Sequence, residues 1–162
     1  MVRIIARAPG PRPLDLLGVA PHDRGAMELA AGLKHSQSVP VTEDMTPAHL
    51  RGDAIRVFAT PEMVRLVEQT AIQCVQPHLK PGQTTVGTVV HLKHLAATPE
   101  GMRVTISVEL TEVDRRRLGF KVEVHDEMEK VGEGTHERFV IDREARVPRL
   151  QQKIDAWKAK RG

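Results

Sequence analysis

The chain has 162 residues, enough for one domain or for one domain with extensions. Hydrophobic residues make up 40% and charged residues 28%, as in ordinary globular proteins, and the net charge is only +3. Aromatic residues make up 2%, so a stacking platform for single-stranded nucleic acid is not expected. No stretch approaches the roughly 20 apolar residues of a membrane span, and the N-terminus lacks the apolar run of a signal peptide. We therefore expect a cytoplasmic protein with neither nucleic acid nor membrane as its partner.

The chain divides into three parts. Residues 1–32 are punctuated by proline and glycine, and we interpret them as an N-terminal extension in which only residues 26–33 could be helical. Residues 33–142 hold the periodic hydrophobic patterns of a folded domain. Residues 143–162 are a basic tail, predicted to form an amphipathic helix that carries Trp157.

The first part of the domain contains one strong helix. A strand is predicted at residues 35–42, followed by a polar loop with one helical turn at 47–51. The helix begins at Thr60-Pro61-Glu62, where threonine suits the N-cap, proline the first helical position and glutamate the positive end of the helix dipole. It runs to Val75 with apolar residues on more than one face, so we expect it to be enclosed. Cys74, the single cysteine, excludes an intramolecular disulfide and is expected to be a packed thiol.

After Gly82 the hydrophobic period changes from about 3.6 to 2, which indicates strands. The alternation predicts a common strand face for Val86, Thr88, Val90, Leu92 and His94. Three more alternating segments, at 102–110, 118–124 and 131–141, follow with short connections and predict a four-strand antiparallel meander. A sheet wrapped around one long central helix is an α+β arrangement and the layout of the hotdog fold. Unpaired sheet edges would favour dimerisation.

Glu68 is the unusual residue of the helix. Its helical neighbours at minus four, plus three, plus four and plus seven are apolar: Val64, Ala71, Ile72 and Val75. An ionised carboxylate in an apolar stripe costs several kcal/mol unless it is paired or its pKa rises. Glu68 is therefore functional, paired to an arginine, or exposed at an interface.

Thr60, Glu68 and His94 supply the hydroxyl, carboxylate and imidazole of an acyl-transfer or hydrolysis site. The helical rise separates the Cα atoms of Thr60 and Glu68 by about 12 Å along the axis, so a direct hydrogen bond within one chain is not expected. A bridging water or a dimer interface would have to close that gap. The alternative is that Thr60 is only a helix cap and His94 only a partly buried histidine at a strand end.

Gly87 interrupts a run of β-branched residues, and glycine inside a strand marks a bulge or a close backbone approach. Its N–H could serve an oxyanion hole, although packing explains the glycine equally well. His136, Arg138 and the run Arg115–Arg117 are interpreted as solvated charges, with phosphate contacts as the alternative.

Several segments occur in a specific order and spacing: Val57-Phe58-Ala59-Thr60-Pro61, Glu68, Gly87-Thr88, His94-Leu95-Ala96-Ala97-Thr98-Pro99 and Gly132-Glu133-Gly134-Thr135-His136-Glu137-Arg138. Over about residues 33–142 they resemble the fluoroacetyl-CoA thioesterase-like family of hotdog proteins. The resemblance does not account for the N-terminal extension or for the basic tail.

The resemblance implies a homodimeric acyl-CoA thioesterase, with a tetramer as an open alternative. No metal and no separate cofactor would be required, because CoA is part of the substrate. The residues implied as catalytic are Thr60, Glu68 and His94. The residues implied as substrate-binding are Gly87, near the thioester carbonyl, Arg138, near the ligand, and Thr88.

The acyl group is not expected to be restricted to fluoroacetyl. Family enzymes that handle the fluorinated substrate carry phenylalanines in the lid region before the catalytic threonine, and the corresponding residues here, Met45–Arg56, include none. A pocket lined by apolar residues such as Val64, Val67, Val90 and Leu92 would take a small or medium acyl chain.

The mechanism and the class of protein both have alternatives. His94 could act as general base toward a water or toward the Thr60 hydroxyl, and Glu68 could orient that partner or attack as a nucleophile. An enoyl-CoA hydratase-like protein would use an Asp and His pair, but no aspartate lies between Asp53 and Asp114. A non-catalytic acyl-CoA sensor would carry a DNA-binding helix-turn-helix, for which the first 30 residues are too short and too rich in proline.

Overall fold

The computed structural model describes residues 28–161. Its strands and α-helices are, in chain order, β1 (Lys34–Pro40), α1 (Thr60–Val75), β2 (Gln83–His94), β3 (Arg103–Asp114), β4 (Arg117–His125), β5 (Lys130–Asp142) and α2 (Val147–Ala159). Every strand lies close to its predicted bounds, and the predicted turn before α1 is a 3-10 helix at Ala48–Leu50. The helix considered for residues 26–33 is not present in residues 28–33, which hold only a turn; residues 26 and 27 lie outside the described range.

The five strands form one antiparallel sheet in the order β1-β3-β4-β5-β2. The predicted four-strand meander is therefore wrong, because β2 pairs with β5 and only β3, β4 and β5 follow one another as neighbours. A tight hairpin turn of about two to five residues forces consecutive strands together. The longer connection at residues 95–102 lets the chain pass the positions of β5 and β4 before β3 begins. Strands β1 and β2 are therefore the two edge strands among the described residues.

The core lies between α1 and the inner face of the sheet. Alternate residues of β3 and β4 are buried, as the period of two predicts. The helix contributes Met63, Leu66, Val67, Ala71 and Val75 to the core. Cys74 is buried with them, and burial raises the pKa of its thiol, so it is a packed, unreactive cysteine as expected.

The C-terminal helix α2 stands apart from this core. Every residue from 143 to 161 is exposed, including the large apolar side chains of Val147, Leu150, Ile154 and Trp157. The predicted amphipathic tail helix is confirmed, and no helix within residues 28–161 is both long and apolar enough to cross a membrane.

A β-bulge in β2 determines which residues face the helix. The register of β2 against β5 shifts at Thr88, which is the extra residue of the bulge. Before the bulge Gly87 lies opposite Arg138, and after it Val90 lies opposite His136. Directly paired residues share a face of the sheet, so Gly87 and Val90 both face inward although they are three positions apart.

The predicted common face of alternate β2 residues is right from Val90 to His94 and wrong for Val86 and Thr88. Val86 lies opposite Phe139, whose side chain is 40% exposed on the outer face. One extra residue in a strand reverses the face of all residues on one side of it, and a strict period of two cannot reveal this.

Candidate active site

The first group of the site is a hydrogen-bonded pair between the start of α1 and the end of β2. Oγ1 of Thr60 lies 2.8 Å from Nδ1 of His94. The helix begins at Thr60 itself, Ala59 occupies the capping position, and no side chain caps the helix. The interpretation of Thr60 as an N-cap is therefore wrong: its hydroxyl is engaged by the imidazole instead of a helix N–H.

His94 is held in a partly buried position at the end of β2. Its ring meets Phe58 edge-on, with 6.1 Å between the ring centroids. Burial lowers the pKa of His94, and the backbone of Ala96 opposes this shift weakly. The second ring nitrogen, Nε2, is enclosed and has no hydrogen-bond partner among residues 28–161. A neutral imidazole with one nitrogen on a hydroxyl is the arrangement that a general base requires.

The second group is built around Glu68, two helical turns beyond Thr60. The Glu68 side chain is 42% exposed and its Oε1 accepts a hydrogen bond from Nη1 of Arg138 at 3.5 Å. The carboxylate lies directly over Gly87, since a Cβ added to that glycine would overlap Oε1. Glu68 makes no hydrogen bond to Thr60 or to His94 in the described chain, which agrees with the separation predicted from the helical rise. Glu68 is thus both arginine-paired and partly exposed.

His136 and Arg138 are buried, so their interpretation as solvated charges is wrong. Their side chains are 0% and 3% exposed. Strand β5 is paired on both sides, by β4 and β2, and its alternate residues face the helix. Sequence patterning missed them because charged residues are almost never fully buried unless they are paired. The signal available was their period-two spacing with Val140 on the same strand.

Among the other candidate residues, Thr88 is the chain neighbour of Gly87, and Arg115–Arg117 lie at the β3–β4 turn. Thr88 is exposed in the bulge, where its hydroxyl donates to the Glu137 carbonyl at 3.2 Å. Arg115, Arg116 and Arg117 lie at the β3–β4 turn in surface ion pairs with nearby carboxylates, as predicted for solvated charges. Val67 is completely buried in the core and does not line an open surface.

The segment before α1 consists of loops and two short 3-10 helices. Residues 51–55 are exposed, and Ile55 is the largest apolar side chain among them at 71% exposure. Thr46 is buried and its hydroxyl has no partner in the described range. No phenylalanine from Met45–Arg56 stands over the site, because the segment contains none.

Both groups lie where α1 meets the edge strand β2. Thr60 and Gly87 are exposed there, as is part of Glu68. The candidate site thus supplies a hydroxyl, a base, a carboxylate and a glycine backbone along α1 and β2, the components of acyl transfer to water. No group of three or more His, Cys, Asp or Glu side chains arranged to hold a metal ion occurs within residues 28–161.

Comparisons with known proteins indicate the family of the chain. A family profile described as fluoroacetyl-CoA-specific thioesterase matches residues 41–144. The fluoroacetyl-CoA thioesterase of Streptantibioticus cattleyicolor is 43% identical over 100 residues, which cover 62% of this chain and 72% of that protein.

Solved structures give the same result. The crystal structure of the fluoroacetyl-CoA thioesterase FlK is similar with a TM-score of 0.71 and 36% identity, over 77% of this chain and 97% of that one. A hot-dog-like protein from Thermanaerovibrio acidaminovorans has a TM-score of 0.70 at 21% identity, over 77% of this chain and 93% of the other. The predicted hotdog fold is confirmed, and the chain belongs to the fluoroacetyl-CoA-specific thioesterase family.

Proposed function

We propose that this member of the thioesterase family hydrolyses the thioester of a small or medium acyl-CoA to the free acid and CoA, in the cytoplasm. The observation that carries the proposal is the 2.8 Å contact between Oγ1 of Thr60 and Nδ1 of His94, beside a carboxylate that overlies a glycine backbone. CoA enters as part of the substrate, and the proposed chemistry uses neither a metal nor another cofactor.

His94 acts as the general base in this proposal. Its lowered pKa keeps the imidazole neutral at physiological pH, so it can take a proton from the Thr60 hydroxyl or from a water held by it. The same imidazole, once protonated, can return the proton to the leaving thiolate of CoA. This requires the reacting carbonyl to lie between α1 and the end of β2.

Glu68 and Gly87 lie about 12 Å further along α1, so in this proposal they reach that carbonyl through a water or across the dimer interface. The Glu68 carboxylate can orient the attacking water, or attack the thioester itself to form an anhydride that water then cleaves. The backbone N–H of Gly87 is a candidate oxyanion donor, and one such donor is typically worth about 3 kcal/mol of transition-state stabilisation. Arg138, predicted near the ligand, is buried beneath Glu68 and in this proposal acts through that carboxylate, and Thr88 lies at the adjacent bulge.

The acyl group is proposed to be larger or more variable than fluoroacetyl. The loop segment 45–56 presents no phenylalanine, and Ile55 is its most exposed apolar side chain. Val64 and Leu92 are half-buried and Val90 is 36% exposed. These partly exposed apolar side chains suit an aliphatic acyl chain and do not enclose a two-carbon acyl group tightly.

We also propose a homodimer formed through the edge of β2, with a tetramer as an open alternative. Strand β2 is 12 residues long and pairs on one side only, with β5. Exposed strand edges of this length readily pair with another strand. Val89 and Val90 are each 36% exposed on this edge, and pairing there would cover the open side of the site. Light scattering should give twice the chain mass, and a Val89→Arg variant should shift it toward the monomer.

The experiment that tests the proposal is thiol release from acyl-CoAs of increasing chain length, with fluoroacetyl-CoA included. Wild type should turn over short or medium acyl-CoAs, and His94→Ala should lower kcat/KM by about a hundredfold or more. The matched control is His91→Ala, a histidine of the same strand that is exposed. Absence of turnover on every acyl-CoA by a folded protein would contradict the hydrolase assignment and favour a binding protein.

A further inference from the structure

Arg138 is a charged side chain inside the domain, and its guanidinium is held by three neighbours. Nε donates to Oγ1 of Thr85 at 2.8 Å, and Nη2 donates to the Thr85 carbonyl oxygen at 3.0 Å. Nη1 donates to Oε1 of Glu68 at 3.5 Å and to Nε2 of His136 at 3.0 Å. Nη1 is the nitrogen that reaches Glu68, so the direction in which it is held determines where the carboxylate rests.

The contacts of His136 fix its protonation and its tautomer. Nδ1 lies 2.8 Å from the carbonyl oxygen of Val89, which only accepts, so Nδ1 carries the proton. Nε2 faces Nη1 of Arg138, which only donates, so Nε2 must offer a lone pair. His136 is thus a neutral imidazole that links the backbone at the β2 bulge to the guanidinium.

The ring has little freedom to leave this position. His136 is 0% exposed and stacks on Phe120, with 6.2 Å between the ring centroids and 28° between the planes. Burial, and secondarily the nearby charge of Arg138, lower the pKa of His136, which favours the neutral form that the geometry requires. In the described chain Arg138 is the only group that Glu68 contacts by a hydrogen bond or ion pair.

We propose that His136 is a positioning residue for the thioesterase reaction: it holds Nη1 of Arg138, which in turn holds the Glu68 carboxylate over Gly87. This inference rests on the proposed function and assigns a role to a residue that does not touch the substrate. Without an acceptor at Nε2, the inner N–H of Nη1 would be buried and unpaired, and the guanidinium would turn to satisfy it. The carboxylate would then lose its fixed place.

Two amide substitutions separate this role from a merely structural one. The amide of His136→Gln reaches the place of Nε2 and can accept from Arg138, whereas it loses the contact to Val89. The shorter amide of His136→Asn reaches the place of Nδ1, so it keeps a donor for Val89 and loses the acceptor for Arg138. Both variants are neutral and remove the ring, which makes each the control of the other.

Kinetics on an acyl-CoA that wild type hydrolyses should distinguish the pair. The proposal expects His136→Asn to lower kcat by about tenfold to a hundredfold with KM little changed, because a misplaced reacting group acts on the chemical step. His136→Gln should keep kcat within about threefold of wild type. Equal kcat in both variants, or a greater loss in the glutamine variant, would overturn the proposal.

Crystal structures of the two variants give a readout that needs no turnover. The Glu68 carboxylate should remain on Arg138 in the glutamine variant and leave it in the asparagine variant. If wild type hydrolyses no acyl-CoA but the carboxylate moves as expected, the proposed function fails and the positioning role stands. If the carboxylate stays in place in both variants, the positioning role fails whatever the activity.

Discussion

At the scale of single residues, the site combines one exposed contact with one buried network. The Thr60–His94 pair is partly open to the ligand, whereas the Glu68 carboxylate rests on an arginine that is 3% exposed. The two groups share the strand β2 and the helix α1 but make no direct hydrogen bond to each other among residues 28–161. Their cooperation must therefore pass through a bound substrate, a water or a second protomer.

The pH dependence of hydrolysis should report His94. A general base must be unprotonated, so kcat/KM should rise with pH through the pKa of His94 and then level off. Burial lowers that pKa, so the rise should fall below the ordinary histidine value of about 6.5. A pH profile of kcat/KM checks this. A rise centred above pH 7 would contradict a base in this environment.

A methyl group at position 87 should disturb the carboxylate more than the fold. The added Cβ would overlap Oε1 of Glu68 and lie 3.3 Å from Cε1 of His136. The Glu68 side chain can swing away into solvent, so Gly87→Ala should lower kcat by about tenfold or more while unfolding free energy changes by less than about 1 kcal/mol. Gly52→Ala, with no neighbour within 4 Å of the added atom, is the control for both measurements.

The sequence indicates the candidate site residues more clearly than the buried side chains that contact them. Glu68 and His94 stand out as polar groups in apolar patterns, and Thr60 stands out at the start of the helix before Pro61. The network beneath them does not stand out, because Arg138 and Thr85 are 53 positions apart and their contact depends on strand pairing. Burial of a charge depends on such distant partners, which local patterning cannot show.

At the scale of elements, strand β2 positions most of the site. It supplies Gly87 and His94, and its bulge brings the Val89 carbonyl to His136. Period-two patterning predicts that the strand exists but not that it pairs with β5, since pairing between distant segments leaves no local trace. A bulge is one of the two interpretations that Gly87 in a β-branched run offers, and the register shift lies directly after it.

Gly134→Ala should separate β5 from β2. A Cβ at this position would overlap the carbonyl oxygen of His91, and a backbone neighbour cannot swing away as a side chain can. We expect a loss of about 2 to 3 kcal/mol in unfolding free energy, measured by urea denaturation, together with lower activity. A loss of activity at unchanged stability, as expected for Gly87→Ala, would contradict this account of Gly134.

Helix α2 should be dispensable for the fold. All residues from 143 to 161 are exposed, so removing them uncovers no core. A chain ending after Ala145 keeps the hydrogen bond from the Arg143 N–H to the Gly82 carbonyl. Its unfolding free energy should change by less than about 1 kcal/mol. A loss above about 2 kcal/mol would show that the helix packs on another protomer.

At the scale of the whole molecule, α1 packs against the sheet, and the candidate site lies along α1 beside β2, an edge strand of the described chain. The α+β class and the hotdog arrangement follow from one enclosed helix and four alternating segments. The division at residues 32 and 142 stays a prediction. The homodimer also stays a prediction, because it depends on contacts between two protomers, which a single chain does not contain.

The central claim is that the Thr60–His94 pair and the Glu68–Arg138 pair serve one acyl-CoA hydrolysis. The most direct test is kcat/KM on the best acyl-CoA substrate for wild type, His94→Ala, Glu68→Gln and the double variant. Residues that act as a unit are strongly non-additive, so each single change should cost about a hundredfold and the double variant should lose little more than the worse single variant. Losses that multiply in the double variant would contradict a single catalytic unit, and a wild type without turnover would contradict the enzyme itself.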